Sequence, residues 1–84
     1  MRYLLITYLK KADGAIDEQI QVSKTVKDRD TQTCNIILDF KEKKIVKAVV
    51  DGQVIQSDWV TIEAYYQQVY PDLIDDLQKD PDTQ

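Results

Sequence analysis

The spacing of apolar side chains along this chain changes once, near Ser57. Before Ser57 apolar residues alternate with polar ones, which is typical of β-strands with one buried face. After Ser57 they recur at steps of three and four residues, which is typical of an amphipathic helix. Strands followed by a helix, rather than alternating with helices, predict an α+β fold with an antiparallel sheet.

The strand pattern predicts an antiparallel β-meander of four to five strands. Glycines in Asp13-Gly14 and Asp51-Gly52 supply turns, because glycine adopts a positive φ without steric cost. The first strand is apolar on both faces, so we expect it to be a central strand or to meet a partner. The predicted strands cover residues 3–9, 16–26, 33–40, 45–50 and, for a short fifth strand, 54–55, with a polar loop at 27–32 and a charged connection at 41–44.

A C-terminal helix is predicted from an N-cap at Ser57. Pro71 lies inside the apolar pattern and disrupts the preceding helical turn, so the helix is expected to be kinked or split near Tyr70. Trp59 and Tyr66 are its expected core contacts. One helix covers only one face of the sheet, which would leave the other face free for a partner. Residues 1–79 form a single domain in this interpretation, and residues 80–84 form a tail that frays.

Composition argues against several activities. A chain of 84 residues builds one core. It contains no His, the commonest general base and metal ligand, and a single Cys, which suggests a reducing, cytoplasmic compartment. That residue, Cys34, is expected to be inert on the core-facing row with Ile36 and Leu38. We therefore expect no catalytic residues, no bound metal and no cofactor.

Two aspartate pairs invite a metal-site hypothesis. Asp72 and Asp76 share a helix face, and Asp28 and Asp30 lie in the predicted loop. Hard cations need several further oxygens in fixed geometry, and the loop lacks the glycine and glutamate of a calcium site. A solvated acidic face and a polar turn are the better interpretation. The apolar N-terminal run ends at two lysines without a cleavage site, and no stretch has the roughly 20 apolar residues of a spanning helix, so we expect no signal peptide and no membrane association.

Charge is distributed unevenly along the chain. Residues 1–50 carry ten Lys and Arg against seven Asp and Glu, whereas residues 51–84 carry one against eight. An isoelectric point near 4.6 opposes affinity for phosphates, so we expect no nucleic-acid partner. Nucleic-acid binding by the basic hairpin stays open as an alternative, as does an acidic DNA mimic that occupies a partner's DNA channel. The hairpin residues are Lys41, Lys43, Lys44 and Lys47.

Two groups of residues are candidates for protein recognition. Tyrosines that lie off the helix's core-facing stripe suit a contact surface, because tyrosine offers a large contact area at low entropy cost. The acidic end of the helix is the second candidate. The candidate residues are Tyr65 and Tyr70 on the helix and Tyr8 on the first strand, where it would belong to the uncovered sheet face, together with Asp72, Asp75 and Asp76.

Three segments resemble small uncharacterised proteins of T4-like bacteriophages that infect cyanobacteria. They are MRYLLITY at residues 1–8, TCNII at residues 33–37 and VYPDLI at residues 69–74. The resemblance spans most of the chain but supplies no catalytic residues. It implies a short accessory protein in the cytoplasm of an infected host cell.

The leading hypothesis is a small non-catalytic interaction module. Its partner would be a host or viral protein, bound through the uncovered sheet face, including Tyr8 and Ile6 or the opposite row, or through the acidic helix. Self-association is the variant of this hypothesis, because two copies could bury an exposed apolar sheet face against each other and form a homodimer.

Overall fold

A computed structural model describes residues 1–79 as a five-stranded antiparallel sheet with three helices, which confirms the predicted α+β class. The predicted tail at residues 80–84 lies outside the described residues. The elements are β1 (Tyr3–Lys10), β2 (Ile16–Ser23), α1 (Asp28–Thr33), β3 (Ile36–Asp39), β4 (Lys44–Val50), β5 (Gln53–Val54), α2 (Trp59–Val69) and α3 (Pro71–Lys79).

The order of strands in the sheet is β2-β1-β3-β4-β5, and neighbouring strands are antiparallel. Of the two alternatives for the first strand, the structure shows a central strand, because β1 pairs with β2 on one side and with β3 on the other. In a strict meander β2 and β3 would be neighbours, whereas here β1 lies between them. The chain crosses from β2 to the far side of β1 through α1.

The prediction of a loop at residues 27–32 is wrong, because the chain forms the short helix α1 there. The carboxylate of Asp30 accepts a hydrogen bond from the amide of Lys27 at 3.0 Å, which caps the first turn. The hydroxyls of Thr31 and Thr33 donate to backbone carbonyls within the helix. None of the residues of α1 is buried, so the helix has no apolar stripe by which periodicity could reveal it.

The main core lies between the sheet and the two C-terminal helices. The buried residues of this core are Leu4, Ile6, Ile36, Leu38, Phe40, Ile62, Tyr66, Ile74 and Leu77, and Trp59 packs partly buried against them.

The helix that was predicted to break near Pro71 does break there: α2 ends before Tyr70 and α3 begins at Pro71. The predicted N-cap is one residue too early, because the carboxylate of Asp58, not Ser57, accepts the amide of Thr61 at 2.7 Å.

The opposite face of the sheet carries a second, smaller buried cluster. Leu5, Cys34 and Ile37 are buried there, with Tyr3 and Val26 packed against them. The prediction that Cys34 shares a row with Ile36 and Leu38 is therefore wrong. The strand alternation begins only at Ile36, after the chain leaves α1, so it does not extend back to Cys34. Cys34 and Val26 therefore cover part of the sheet face that was expected to be free.

One ion pair fixes the start of the chain against β3. Asp39 is 1% exposed, and both its carboxylate oxygens accept hydrogen bonds from Arg2, at 2.8 and 2.7 Å. The amides of Lys41 and Glu42 also donate to this carboxylate. Four hydrogen bonds compensate the loss of water around the charge and lower the pKa of Asp39, with Arg2 the largest cause.

Candidate functional site

A cleft of about 550 Å³ opens between α2 and one end of the sheet, where β1 and β4 end and β2 and β3 begin. Helix α2 forms one wall, and the strands β1, β2 and β4 with the segment that leads into α2 form the other. The cleft is largely apolar. The residues that line it are Tyr8, Lys10, Ile16, Asn35, Ile36, Val50, Asp51, Ile55, Ser57, Thr61, Ile62, Tyr65 and Tyr66.

The rim of the cleft exposes large apolar side chains. Ile16 is 64% exposed and Tyr65 is 58% exposed, and Ile55 is also exposed. The floor is formed by Ile36 and Ile62, which are buried in the main core. Single exposed apolar residues are common on protein surfaces, but a group that surrounds a concave apolar cleft is typical of a binding site.

Helical geometry separates two adjacent tyrosines into different environments. Consecutive residues on a helix point about 100° apart, so Tyr66 enters the core while Tyr65 stays at the rim. Their rings meet edge to face with centroids 5.0 Å apart. Tyr66 in turn stacks on Tyr70, with centroids 6.4 Å apart. The buried ring therefore supports the exposed one in a defined orientation.

Three tyrosines at the cleft or next to it, Tyr8, Tyr66 and Tyr70, have raised pKa values. The hydroxyl of Tyr70 donates a hydrogen bond to the carboxylate of Glu18, which raises the pKa of Tyr70 to about 12. Burial raises the pKa of Tyr66 far above its ordinary value and also raises the pKa of Tyr8. These phenols are neutral hydrogen-bond donors rather than activated nucleophiles.

Asn35 holds the inner end of the cleft together. Its backbone amide donates to the carbonyl of Ile6 at 2.8 Å, and its side-chain oxygen accepts the amide of Tyr8 at 2.8 Å. Its side-chain nitrogen donates to the carbonyl of Val49 at 3.0 Å. One side chain thus links β1 to β4 just before β3 begins. Sequence reasoning missed this residue, although a polar Asn among the apolar residues 34–38 is a signal of such a role.

The structure brings only some of the predicted recognition residues together. Tyr8 and Tyr65 both line the cleft, whereas Tyr70 is not part of its lining and is partly buried, with its hydroxyl bound to Glu18. The suggested contact surface containing Ile6 is wrong, because Ile6 is fully buried in the main core. Tyr8 lies beside it, partly buried at the edge of that core.

The acidic candidates lie outside the cleft. Asp72, Asp75 and Asp76 are exposed on α3, on the side away from the buried Ile74. The carboxylate of Asp75 accepts a hydrogen bond from the side chain of Gln67 at 3.1 Å, which links α3 to α2. Within residues 1–79, no cluster of three or more His, Cys, Asp or Glu side chains is placed to hold a metal ion.

The basic candidates are not equivalent. Lys41, Lys43 and Lys44 are exposed at the turn between β3 and β4. Lys47 instead donates to the carbonyl of Thr31 at 2.7 Å and so ties β4 to α1. Lys47 therefore has a structural contact that is independent of any phosphate.

Of the three helices that the structure describes, none has the length and apolar character needed to cross a membrane. Comparison of the chain with protein-family models, with curated proteins and with solved structures finds no match.

Proposed function

We propose that this protein is a small non-catalytic interaction module whose cleft receives an apolar side chain from a partner protein. The observation that carries the proposal is the apolar cleft with Ile16, Ile55 and Tyr65 exposed around its mouth. Its volume of about 550 Å³ falls within the range of roughly 300–1,000 Å³ that is typical of ligand pockets. Protein interfaces gain most of their affinity from a few bulky anchors in such pockets.

The chemistry around the cleft favours binding over catalysis. Tyr8, Tyr65 and Tyr66 offer aromatic surface and hydroxyl groups, a combination that suits protein recognition. The lone thiol, Cys34, is buried on the other face of the sheet, and the chain has no His. An enzyme would need a base or nucleophile with a matched pKa at the cleft.

The acidic helix supplies the second part of the proposal. Asp72, Asp75 and Asp76 create a negative field on the helical side of the molecule. Such a field accelerates the approach of a partner with a basic surface without adding much to the final affinity. The partner segment therefore combines an apolar anchor with flanking Lys or Arg. The resemblance to cyanophage proteins suggests that it belongs to a host or phage protein in the infected cytoplasm.

Site-specific photo-cross-linking in the producing cell tests the proposal. A photoreactive phenylalanine analogue at Tyr65, on the rim, should capture one defined protein. The same analogue at Gln21, exposed on β2 outside the cleft lining, is the matched control and should not capture it. Ile55→Asp places a charge at the mouth of the cleft and should abolish the cross-link. Identical products from both positions, or capture that survives Ile55→Asp, would contradict the proposal.

A further inference from the structure

The two edges of the sheet differ in how they resist pairing with another strand. At the far edge β5 has two residues, and the register of β3 with β4 shifts between Ile37 and Leu38. Lysines also lie on β4, at Lys44 and Lys47. Short strands, irregular register and lysines are the usual devices against edge-to-edge association. The edge formed by β2 has eight residues in continuous register with β1, without Pro or Lys.

The backbone N–H and C=O groups of β2 point alternately toward β1 and toward the open edge of the sheet. Ala15 and Ser23, which flank and end β2, both direct carbonyls toward the β1 side, where they accept the amides of Lys11 and Arg2. In an antiparallel pair the residues that bond to the neighbour alternate along the strand. Odd-numbered residues of β2 therefore bond to β1. The N–H and C=O groups of Glu18, Ile20 and Val22 point away from β1, toward the open edge.

The sequence of β2 is self-complementary when two copies run antiparallel. With the two-fold axis at Ile20, this residue meets its own counterpart, Glu18 meets Val22, and Gln19 meets Gln21 of the second copy. Lys24 follows the strand directly and is exposed. In this register it becomes the diagonal neighbour of Glu18 from the second copy, within reach of a long side chain.

Charge complementarity identifies the occupant of the open edge. The beginning of β2 is acidic, with Asp17 and Glu18, and its exit is basic, with Lys24. Antiparallel pairing brings the acidic beginning of one copy to the basic exit of the other, twice per dimer. Like charges are not placed opposite each other, since Asp17 faces Ser23. A parallel arrangement would instead align acid with acid.

We infer that two copies of this chain associate through β2 to form one continuous ten-stranded antiparallel sheet with two-fold symmetry. The pairing satisfies the outward backbone groups of Glu18, Ile20 and Val22 in each copy. Ile16, the first residue of β2, belongs to both surfaces, whereas the other residues that line the cleft lie outside β2. The inference does not rest on the proposed function.

Amide hydrogen exchange by NMR, read beside analytical ultracentrifugation, tests the inference at the level of single residues. As protein concentration rises toward about 1 mM, sedimentation should shift from monomer to dimer. Over the same range the amides of Glu18, Ile20 and Val22 should become protected. The amides of Gln19 and Gln21 bond to β1 and should be protected at every concentration. A monomer throughout, or a dimer in which the three outward amides still exchange freely, would overturn the inference.

A charge reversal provides an independent test that leaves the monomer fold intact. Lys24→Glu places like charges beside Glu18 of the second copy and should raise the dimer dissociation constant roughly tenfold at low salt. Lys43→Glu makes the same change in charge at the turn between β3 and β4, which β1 separates from the β2 edge, and should alter the constant by less than about twofold. Equal effects of the two variants would show that net charge, rather than the β2 edge, controls association.

Discussion

At the scale of single residues, two carboxylates anchor parts of the chain that are distant in sequence. Asp39 holds Arg2 against β3, and Glu18 holds Tyr70, at the junction of α2 and α3, against β2. The first contact is buried on the carboxylate side and the second is exposed. Buried charges depend strongly on their partners, whereas exposed contacts contribute little to stability. The two contacts should therefore be detected by different measurements.

Asp39 should make the free energy of unfolding depend on pH in the acidic range. Its folded-state pKa is lowered, so its carboxylate stabilises the fold above the ordinary pKa of about 3.9 and loses this effect as pH falls through the lower folded value. Urea unfolding between about pH 7 and pH 2 should show the wild type losing more stability than Asp39→Asn. Asp39→Asn should also be the less stable protein at neutral pH. Parallel pH profiles for the two proteins would show that the pair with Arg2 contributes nothing.

Tyr70 should ionise unusually late. Its pKa of about 12 results first from the hydrogen bond to Glu18, since a phenolate beside a carboxylate is disfavoured. Glu18→Gln should return the pKa toward the ordinary value of about 10, followed by NMR of the tyrosine ring. Asp17→Asn removes a neighbouring charge on β2 but not the hydrogen bond, and should leave the late ionisation in place. An unchanged pKa in Glu18→Gln would contradict the contact.

At the scale of elements, the two C-terminal helices show how far periodicity predicts structure. The apolar spacing after Ser57 located α2, and Pro71 located the start of α3. The same reasoning missed α1, because its polar residues contact solvent and the helix is held by capping and threonine hydrogen bonds instead of a buried stripe. A segment without an apolar stripe gives no periodic signal for either helix or strand. Two acidic residues in the first turn, Asp28 and Asp30, are the local indications of a helix start.

The attachment of α3 should depend on its buried apolar residues and not on its acidic surface. Ile74 is fully buried between α3 and the sheet, so Ile74→Ala should reduce the free energy of unfolding by about 2–5 kcal/mol. Asp76→Ala, exposed on the same helix, should change it by less than about 0.5 kcal/mol. Chemical denaturation measures both. A small effect of Ile74→Ala would mean that α3 is only loosely packed on the sheet.

At the scale of the whole molecule, alternation predicted the strands but not their order. The position of α1 carries the chain past β1, and only this crossing makes β1 an internal strand between β2 and β3. The cleft was equally inaccessible to sequence reasoning, because Ile16, Ile55 and Tyr65 are far apart in the chain and meet only when the elements are assembled. Residue type and helical spacing identified Tyr65 and Tyr70 as candidates, but not the cleft beside them. Their shared environment is a property of the fold.

The distribution of charge over the molecule predicts that nucleic acid is not a ligand. The chain carries a net charge of −4, and the carbonyl of Thr31 already binds one of the four hairpin lysines, Lys47. Fluorescence anisotropy with a labelled DNA duplex at low salt should show no binding. Binding that weakens steeply with salt and disappears in the double variant Lys43→Glu, Lys44→Glu would support the basic-hairpin alternative instead. Competition by this protein for another protein's DNA channel, lost in Asp75→Asn with Asp76→Asn, would support the DNA mimic.

Ile74 and Leu77 of α3 share one core with Leu4 and Ile6 of β1, and this has a consequence during protein synthesis. The ribosome releases the hairpin of β1 and β2 long before it releases α3. Throughout that interval the apolar side of the nascent sheet lacks its cover and is prone to aggregation. Slow codons placed after residue 50 would lengthen this exposure, and so the yield of native protein should respond to translation speed late in the message and to chaperones that shield emerging chains.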